Sequence, residues 1–272
     1  MTHAAPSIVP LMELHDAEFA WPEEAPCLSH LSLRIETGEK IVLLGANGGG
    51  KSTLLKLLNG LIFPQQGELR WQGQVLDKNS LRQRQFARQF RRACVLLFQH
   101  PEAMLFNPTV RAEIAYGPRQ LGLDDVDSRV ADWAEQLRLT PLLDRPPFLL
   151  SGGQKQKLAL ACLLVMEPEL LLLDEPSASL DPATVGWLID NVLDSPRAVL
   201  ISTHNLSLAA ELGERALVLG PQGRLLFDGP VEHALNDLAL LEAANLAHRH
   251  RHRHGGKAHS HLHAHNWEPP TA

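Results

Sequence analysis

The chain has 272 residues, 44% of them hydrophobic and 21% charged, with a formal net charge of −6 at pH 7. That balance describes a soluble globular chain with one large core or two smaller ones, and the negative charge argues against nucleic acid as its main partner. No stretch reaches the ~18–20 apolar residues that span a bilayer, so a role at a membrane would need partners that supply the spans.

The N-terminus lacks the basic-then-apolar order of a signal peptide. Cys27, Cys94 and Cys162 form no CxxC pair and read as reduced, buried thiols of a cytoplasmic protein. Short apolar stretches from about residue 11 to 35, broken by Pro22 and Pro26, predict the strands of an antiparallel sheet. Residues 40–44 are a β-branched and Leu-rich run that ends abruptly in glycine, as a buried parallel strand does. Leu54, Leu55, Leu57 and Leu58 then follow with helical spacing, and Gly60 is placed to stop that helix.

Between strand and helix lie Gly45, Ala46, Asn47, Gly48, Gly49, Gly50, Lys51, Ser52 and Thr53, a phosphate-binding loop in the context such a loop requires. Its glycines let backbone N–H groups converge on phosphate at a helix N-terminus, where the dipole also favours anions. Lys51 is expected to reach the β- and γ-phosphates and the Ser52 hydroxyl to bind Mg²⁺.

Residues 67–71 predict a further strand with a turn at Gly73, and the Arg/Gln-rich residues 81–92 an exposed helix. The apolar run 95–98 ends at Gln99, and residues 107–167 are helix-prone, a second lobe. Within that lobe Ser151 and Gln154 form a capping-box pattern at the head of an apolar helix reaching Met166. With Gly152 and Gly153 they make a second anion cradle that has no phosphate loop beside it in sequence. Strands are predicted at 170–173, 198–202, 216–219 and 224–227, with a turn at 220–223 and a final helix from Val231 to about Ala247. Asp174 ends a run of four leucines, so its carboxylate is expected to emerge from a buried strand toward the Mg²⁺.

The phosphate loop, residues 150–154 and residues 171–175 together resemble the ATP-binding cassette (ABC) ATPases, over roughly residues 8–240. The resemblance implies an α/β fold across residues 1–247: a P-loop NTPase with a RecA-like core, an antiparallel β subdomain and a helical subdomain at about 107–167. It implies ATP and Mg²⁺ as cofactors. Glu175 becomes the general base, His204 the switch that contacts the γ-phosphate, and Gln99 a ligand of Mg²⁺ and water on a loop that senses a membrane partner. Trp21 becomes the aromatic that stacks on adenine, and Asp181 of Ser179-Leu180-Asp181 a brace at a subunit seam.

In such ATPases Ser151, Gly152, Gly153 and Gln154 of one subunit would close on the ATP held by another. A second ATPase subunit is therefore implied, a homodimer because every motif is intact, together with integral membrane transport subunits and no nucleic acid. The implied location is peripheral, on the cytoplasmic face of the inner membrane.

Residues 98–110, with 115–118 and 121–123, resemble the energy-coupling-factor ATPases, particularly the cobalt/nickel type. Met104 stands where those relatives usually carry glutamine, and Asn205 where they tend to carry aspartate. Residues 248–272 differ in composition: His248, His250, His252 and His254 alternate with arginine, and His259, His261, His263 and His265 follow Gly255 and Gly256. Neutral imidazoles at this density suit Ni²⁺, Co²⁺, Zn²⁺ or Cu²⁺, on what low hydrophobicity predicts to be an unstructured ribbon.

The reading that follows is an ATP-hydrolysing transporter subunit energising nickel or cobalt uptake. Its rivals are a transporter ATPase for zinc or a vitamin, a non-transport ABC protein, and a nickel-delivery GTPase. The last needs an Asn-Lys-x-Asp guanine motif that the sequence lacks.

Overall fold

The computed structural model describes residues 9–177, 180–254 and 257–264, the backbone alone at 192–193 and 248 onward. Strands β1 (Met12–Ala20) and β2 (Pro26–Ile35) pair antiparallel, with Met12 opposite Ile35. Strand β3 (Lys40–Gly45) runs straight into the glycine loop and helix α1 (Lys51–Leu58). Strands β4 (Gln66–Trp71) and β5 (Gln74–Val75) complete a four-stranded antiparallel sheet in the order β2-β1-β4-β5. Helix α2 (Arg84–Ala93) leads to β6 (Cys94–Leu97). Helices α3 (Val110–Leu121), α4 (Val126–Gln136) and α5 (Gly152–Leu164) occupy the helix-prone stretch.

From there β7 (Leu170–Asp174), α6 (Pro182–Leu193), β8 (Ala198–Thr203), α7 (Leu206–Leu212), β9 (Arg215–Leu219) and β10 (Leu225–Pro230) alternate. The second sheet has six strands in the order β10-β9-β3-β8-β7-β6, parallel except for the β9–β10 hairpin.

Apolar side chains cover both faces of this sheet, which is why its strands read as unbroken hydrophobic runs. On β3, Ile41 and Leu43 face one core and Val42 and Leu44 the other; β7 divides Leu170 and Leu172 from Leu171 and Leu173 in the same way. The first core is shared with α1, α2 and the antiparallel sheet. The second is shared with α3, α5, α7, α8 (Val231–Asn236) and α9 (Leu238–Ala243).

Three expectations change. The single final helix is two, because Asp237 interrupts it and caps α9 by accepting from the Leu240 N–H at 3.0 Å. The Arg/Gln-rich helix is not exposed all round. Phe90 on α2 is 1% exposed and meets Trp71 edge-on at 5.5 Å, with Phe86 packed on the same indole. Where an unstructured ribbon was expected, the described residues of the histidine tail pair as strands, β11 (Ala247–His254) antiparallel with β12 (Lys257–Ala264). Strict alternation of histidine with other residues on both sides of a Gly-Gly pair is a hairpin pattern, and it outweighs low hydrophobicity here.

Because Phe90 locks α2 to the antiparallel sheet, Phe90→Ala should lower unfolding stability by about 3–5 kcal/mol, while Arg91→Ala on the exposed side should stay within ~0.5 kcal/mol. Urea denaturation of both variants measures the contrast.

Candidate functional site

In an open α/β sheet, ligands bind beyond the carboxyl ends of the strands. Here β3 ends at Gly45, β7 at Asp174, β8 just before His204 and β6 just before Gln99, all four parallel. A cleft of about 380 Å³ opens at this edge, lined by Asn47, Gly48, Gly49, Gly50, Lys51, Ser52 and Thr53 with Trp21, Gln99, Asp174 and Glu175. The structure thus gathers into one place residues spread over more than half the sequence.

The loop forms because its glycines permit what other residues do not. Gly50 has φ of 90°, and a Cβ there would sit 2.5 Å from the Cys27 carbonyl oxygen. The Gly49 N–H closes the turn onto the Ala46 carbonyl at 3.0 Å. Helix α1 begins at Gly50 with no side-chain cap and no acidic residue in its first turn. Its leading N–H groups therefore face the cleft without a carboxylate competing for them, as an anion site requires. Lys51 is 7% exposed, and its ammonium donates to the Gly45 carbonyl at 2.7 Å and the Ala46 carbonyl at 3.2 Å. Burial lowers its pKa, an effect opposed by the nearby Glu175 and Asp174 carboxylates.

Asp174 and Glu175 are adjacent, and in a continuing strand their side chains would point to opposite faces. They share the cleft because β7 stops and Glu175 takes a left-handed conformation, φ 48°. Ser202 on β8 holds this turn. Its hydroxyl donates to Asp174 Oδ1 at 2.6 Å and accepts from the Glu175 N–H at 3.0 Å, while its carbonyl accepts from the same N–H at 3.2 Å. Glu175 is 6% exposed, with Oε1 4.0 Å from Lys51 Nζ and 2.9 Å from His204 Nδ1. The imidazole approaches outside hydrogen-bonding alignment, so this buried oxygen accepts no hydrogen bond from the protein. The Ser52 hydroxyl, the Asp174 carboxylate and the Gln99 amide are all oxygen donors on the cleft wall, the hard set that Mg²⁺ selects.

Trp21 stands at the rim. It packs edge-on against Phe19 at 5.1 Å, its indole N–H reaches Thr53 Oγ1 at 3.4 Å, and Lys56 Nζ lies 5.6 Å from the ring centre. Cys27 and Glu24 line the same wall, and Cys27 is half-buried rather than a core thiol. Cys94 fits the buried reading, burial pushing its thiol up to about 12.

Ser151, Gly152, Gly153 and Gln154 are not in this cleft. They form the expected capping box at the head of α5: Ser151 Oγ accepts from the Gln154 N–H at 3.4 Å, and the Ser151 N–H donates to Gln154 Oε1 at 2.9 Å. Ser151 and Gly152 are exposed, and a Cβ on Gly152 would meet open space. Asp181 is also outside the cleft. It caps α6 through the Thr184 N–H at 3.0 Å and hydroxyl at 2.8 Å, and lies 3.0 Å from Lys157 Nζ on α5. The Thr184 hydroxyl first, and Lys157 next, hold its carboxyl well below the ordinary range. Ser179 and His265 lie outside the described residues, as do the side chains of the other tail histidines.

Two residues carry weight that sequence reasoning missed. Ser202 read only as a strand end; the signal was a hydroxyl closing an otherwise apolar run. Glu113 is 4% exposed and accepts from the Phe106 and Asn107 N–H groups at 2.9 and 2.6 Å and from the Asn107 amide at 3.0 Å. It thereby shapes the segment after Gln99 and presents Phe106, 67% exposed, edge-on to Tyr116 at 4.9 Å.

Residues 28–178 match the family model described as ABC transporter. The chain is 41% identical over 246 residues to a putative ABC transporter ATP-binding protein of Methanosarcina acetivorans, covering 88% of this chain and 89% of that one. It is 40% identical over 247 residues to a nickel import ATP-binding protein of Rhodobacter capsulatus, covering 88% and 96%. Among solved structures it superposes with a TM-score of 0.71 on cbiO1 of Clostridium perfringens, described as part of the ABC transporter complex cbiONQ, at 27% identity over 87% of this chain and 95% of that one. The chain belongs to the ABC transporter family, as one of its ATP-hydrolysing subunits.

Proposed function

We propose that two copies of this chain clamp two ATP molecules between them and power uptake of nickel or cobalt through separate membrane subunits, from the cytoplasmic face of the membrane. The observation that carries the clamp is the separation within one chain: Lys51, Asp174 and Glu175 share a cleft that Ser151 and its helix start do not enter. Both are anion sites by construction, so a partner's α5 head is the natural second wall for a phosphate held at α1.

In this reading Trp21 flanks the adenine, and the N–H groups of residues 48–53 with Lys51 hold the phosphates. Ser52, Asp174 and Gln99 would hold Mg²⁺, which when bound offsets phosphate charge. Glu175 Oε1, buried and accepting no protein hydrogen bond, orients the attacking water and takes its proton. His204, beside that oxygen and half exposed, contacts the γ-phosphate. Loss of that phosphate after hydrolysis removes what the two subunits share and loosens the clamp.

The membrane partner is supported by Phe106 and Tyr116, large apolar side chains exposed on the segment that Gln99 begins. The metal cargo is supported by the resemblance of residues 98–110 to cobalt/nickel ATPases, by the nickel-import relative, and by a tail we read as a transition-metal binder.

Complementation tests the clamp. Lys51→Ala and Ser151→Arg subunits should each be inactive alone. Mixed, they form heterodimers with one intact composite site, so ATPase activity should return; a mixture no more active than its parts would overturn the shared site. Glu175→Gln should bind ATP, lower turnover by about 10²–10⁴-fold and accumulate as an ATP-bound dimer in size-exclusion chromatography. Ser202→Ala should lower kcat roughly tenfold with ATP affinity kept, since it loosens the turn that aims Glu175 rather than a phosphate contact. For the cargo, deleting the gene should reduce cellular nickel or cobalt accumulation, and unchanged levels of both would sink that assignment.

A further inference from the structure

The hairpin of β11 and β12 arranges its histidines in a way composition alone does not. Its register sets His248 opposite His263, His250 opposite His261 and His252 opposite His259. Because strand residues alternate between faces, these six share one face of the hairpin, with His254 beside Lys257 at its end. The arginines fall on the other face: Arg249 opposite Leu262, Arg251 opposite Ser260 and Arg253 opposite Ala258. The alternation in each strand would be idle if the two strands were out of step. Slipping the register by one residue would leave none of the six opposite another histidine: those of β11 would face leucine, serine or alanine, and those of β12 would face arginine or alanine.

Directly opposed residues have Cα atoms about 4.5–5.5 Å apart, and same-face neighbours along a strand about 6.5–7 Å. The register therefore gathers six histidine positions into three opposed pairs along one face, and a divalent transition ion is a ligand class that takes several imidazole nitrogens. Among the described side chains no cluster of three or more His, Cys, Asp or Glu is assembled to hold a metal. The root of the hairpin is anchored, since Leu246 and Ala247 are 8% and 5% exposed in the core shared with Leu240 and Leu241.

We infer that the hairpin is a metal ladder, in which three cross-strand histidine pairs on one face bind imidazole-seeking divalent transition ions such as Ni²⁺. The inference deepens the reading of the tail as a metal binder and does not depend on the transport assignment. An isolated two-stranded hairpin is marginal in water, so ions joining the strands also stabilise the pairing that creates their sites.

Equilibrium dialysis of the full chain with Ni²⁺ alone tests it, using a variant of identical composition. His250→Arg, Arg251→His, His252→Arg and Arg253→His together keep every residue type but move two histidines to the opposite face. The ladder requires this variant to lose at least tenfold in Ni²⁺ affinity, with the thermal unfolding of the rest of the chain unchanged. Equal affinity in the swapped variant, with binding abolished when residues 248–272 are removed, would overturn the ladder while leaving a tail that binds metal by composition. Binding that survives removal of the tail would overturn both.

Discussion

The Ser202 hydroxyl joins the ends of two parallel strands, donating to Asp174 and accepting from the backbone of Glu175. A strand buried on both faces can deliver polar groups to solvent only where it stops, and consecutive residues there would ordinarily diverge. The left-handed turn at Glu175 overcomes that divergence. It places an unfavourable conformation, of order 1–2 kcal/mol for a residue with a side chain, under the control of a neighbouring strand. Register between β7 and β8, with Asp174 opposite Ser202, is thus what makes a pair of carboxylates face one cleft. The strand edge, the glycine loop and His204 all take their places relative to that pair.

The same edge explains why so small a unit has so specific a site. Glycines bring backbone donors close to the strand end, and the sheet supplies rigidity that loops alone lack. What it leaves out is a wall on the far side of the phosphates. The capped head of α5 is exposed elsewhere on the molecule, and in the clamp we propose a partner's copy of it would supply that wall.

Much of this was legible in the sequence because the buried parallel strands are written as uninterrupted apolar runs, each punctuated by its functional residue. Gly45, Asp174, His204 and Gln99 all stand at such breaks. The capping box was equally readable, since Ser151 and Gln154 satisfy each other locally. Helices α6 and α7 were not foreseen, although Asp181 with Pro182 and Asn205 before Leu206 are ordinary start signals; α7 is short, and neither has a long periodic face to draw the eye. Phe90 escaped notice because six polar or charged neighbours on α2 outvoted three buried positions. Ser202, Glu113 and the register of the tail were beyond reach for a different reason. Ser202 meets partners 27 and 28 residues away, Glu113 turns back onto N–H groups six and seven residues before it, and no local pattern encodes the identity of such a partner.

The bond between Asp181 and Lys157 has a mechanical side. Asp181 follows closely on Glu175, and Lys157 sits on the helix that Ser151 heads. Within one subunit, then, a single charged contact spans the gap between the carboxylate that would serve one nucleotide and the helix head that would close on the other. In the dimer we propose, this contact would lie on the path between the two nucleotides, so that a shift at one would have a route to its twin through the body of a single subunit.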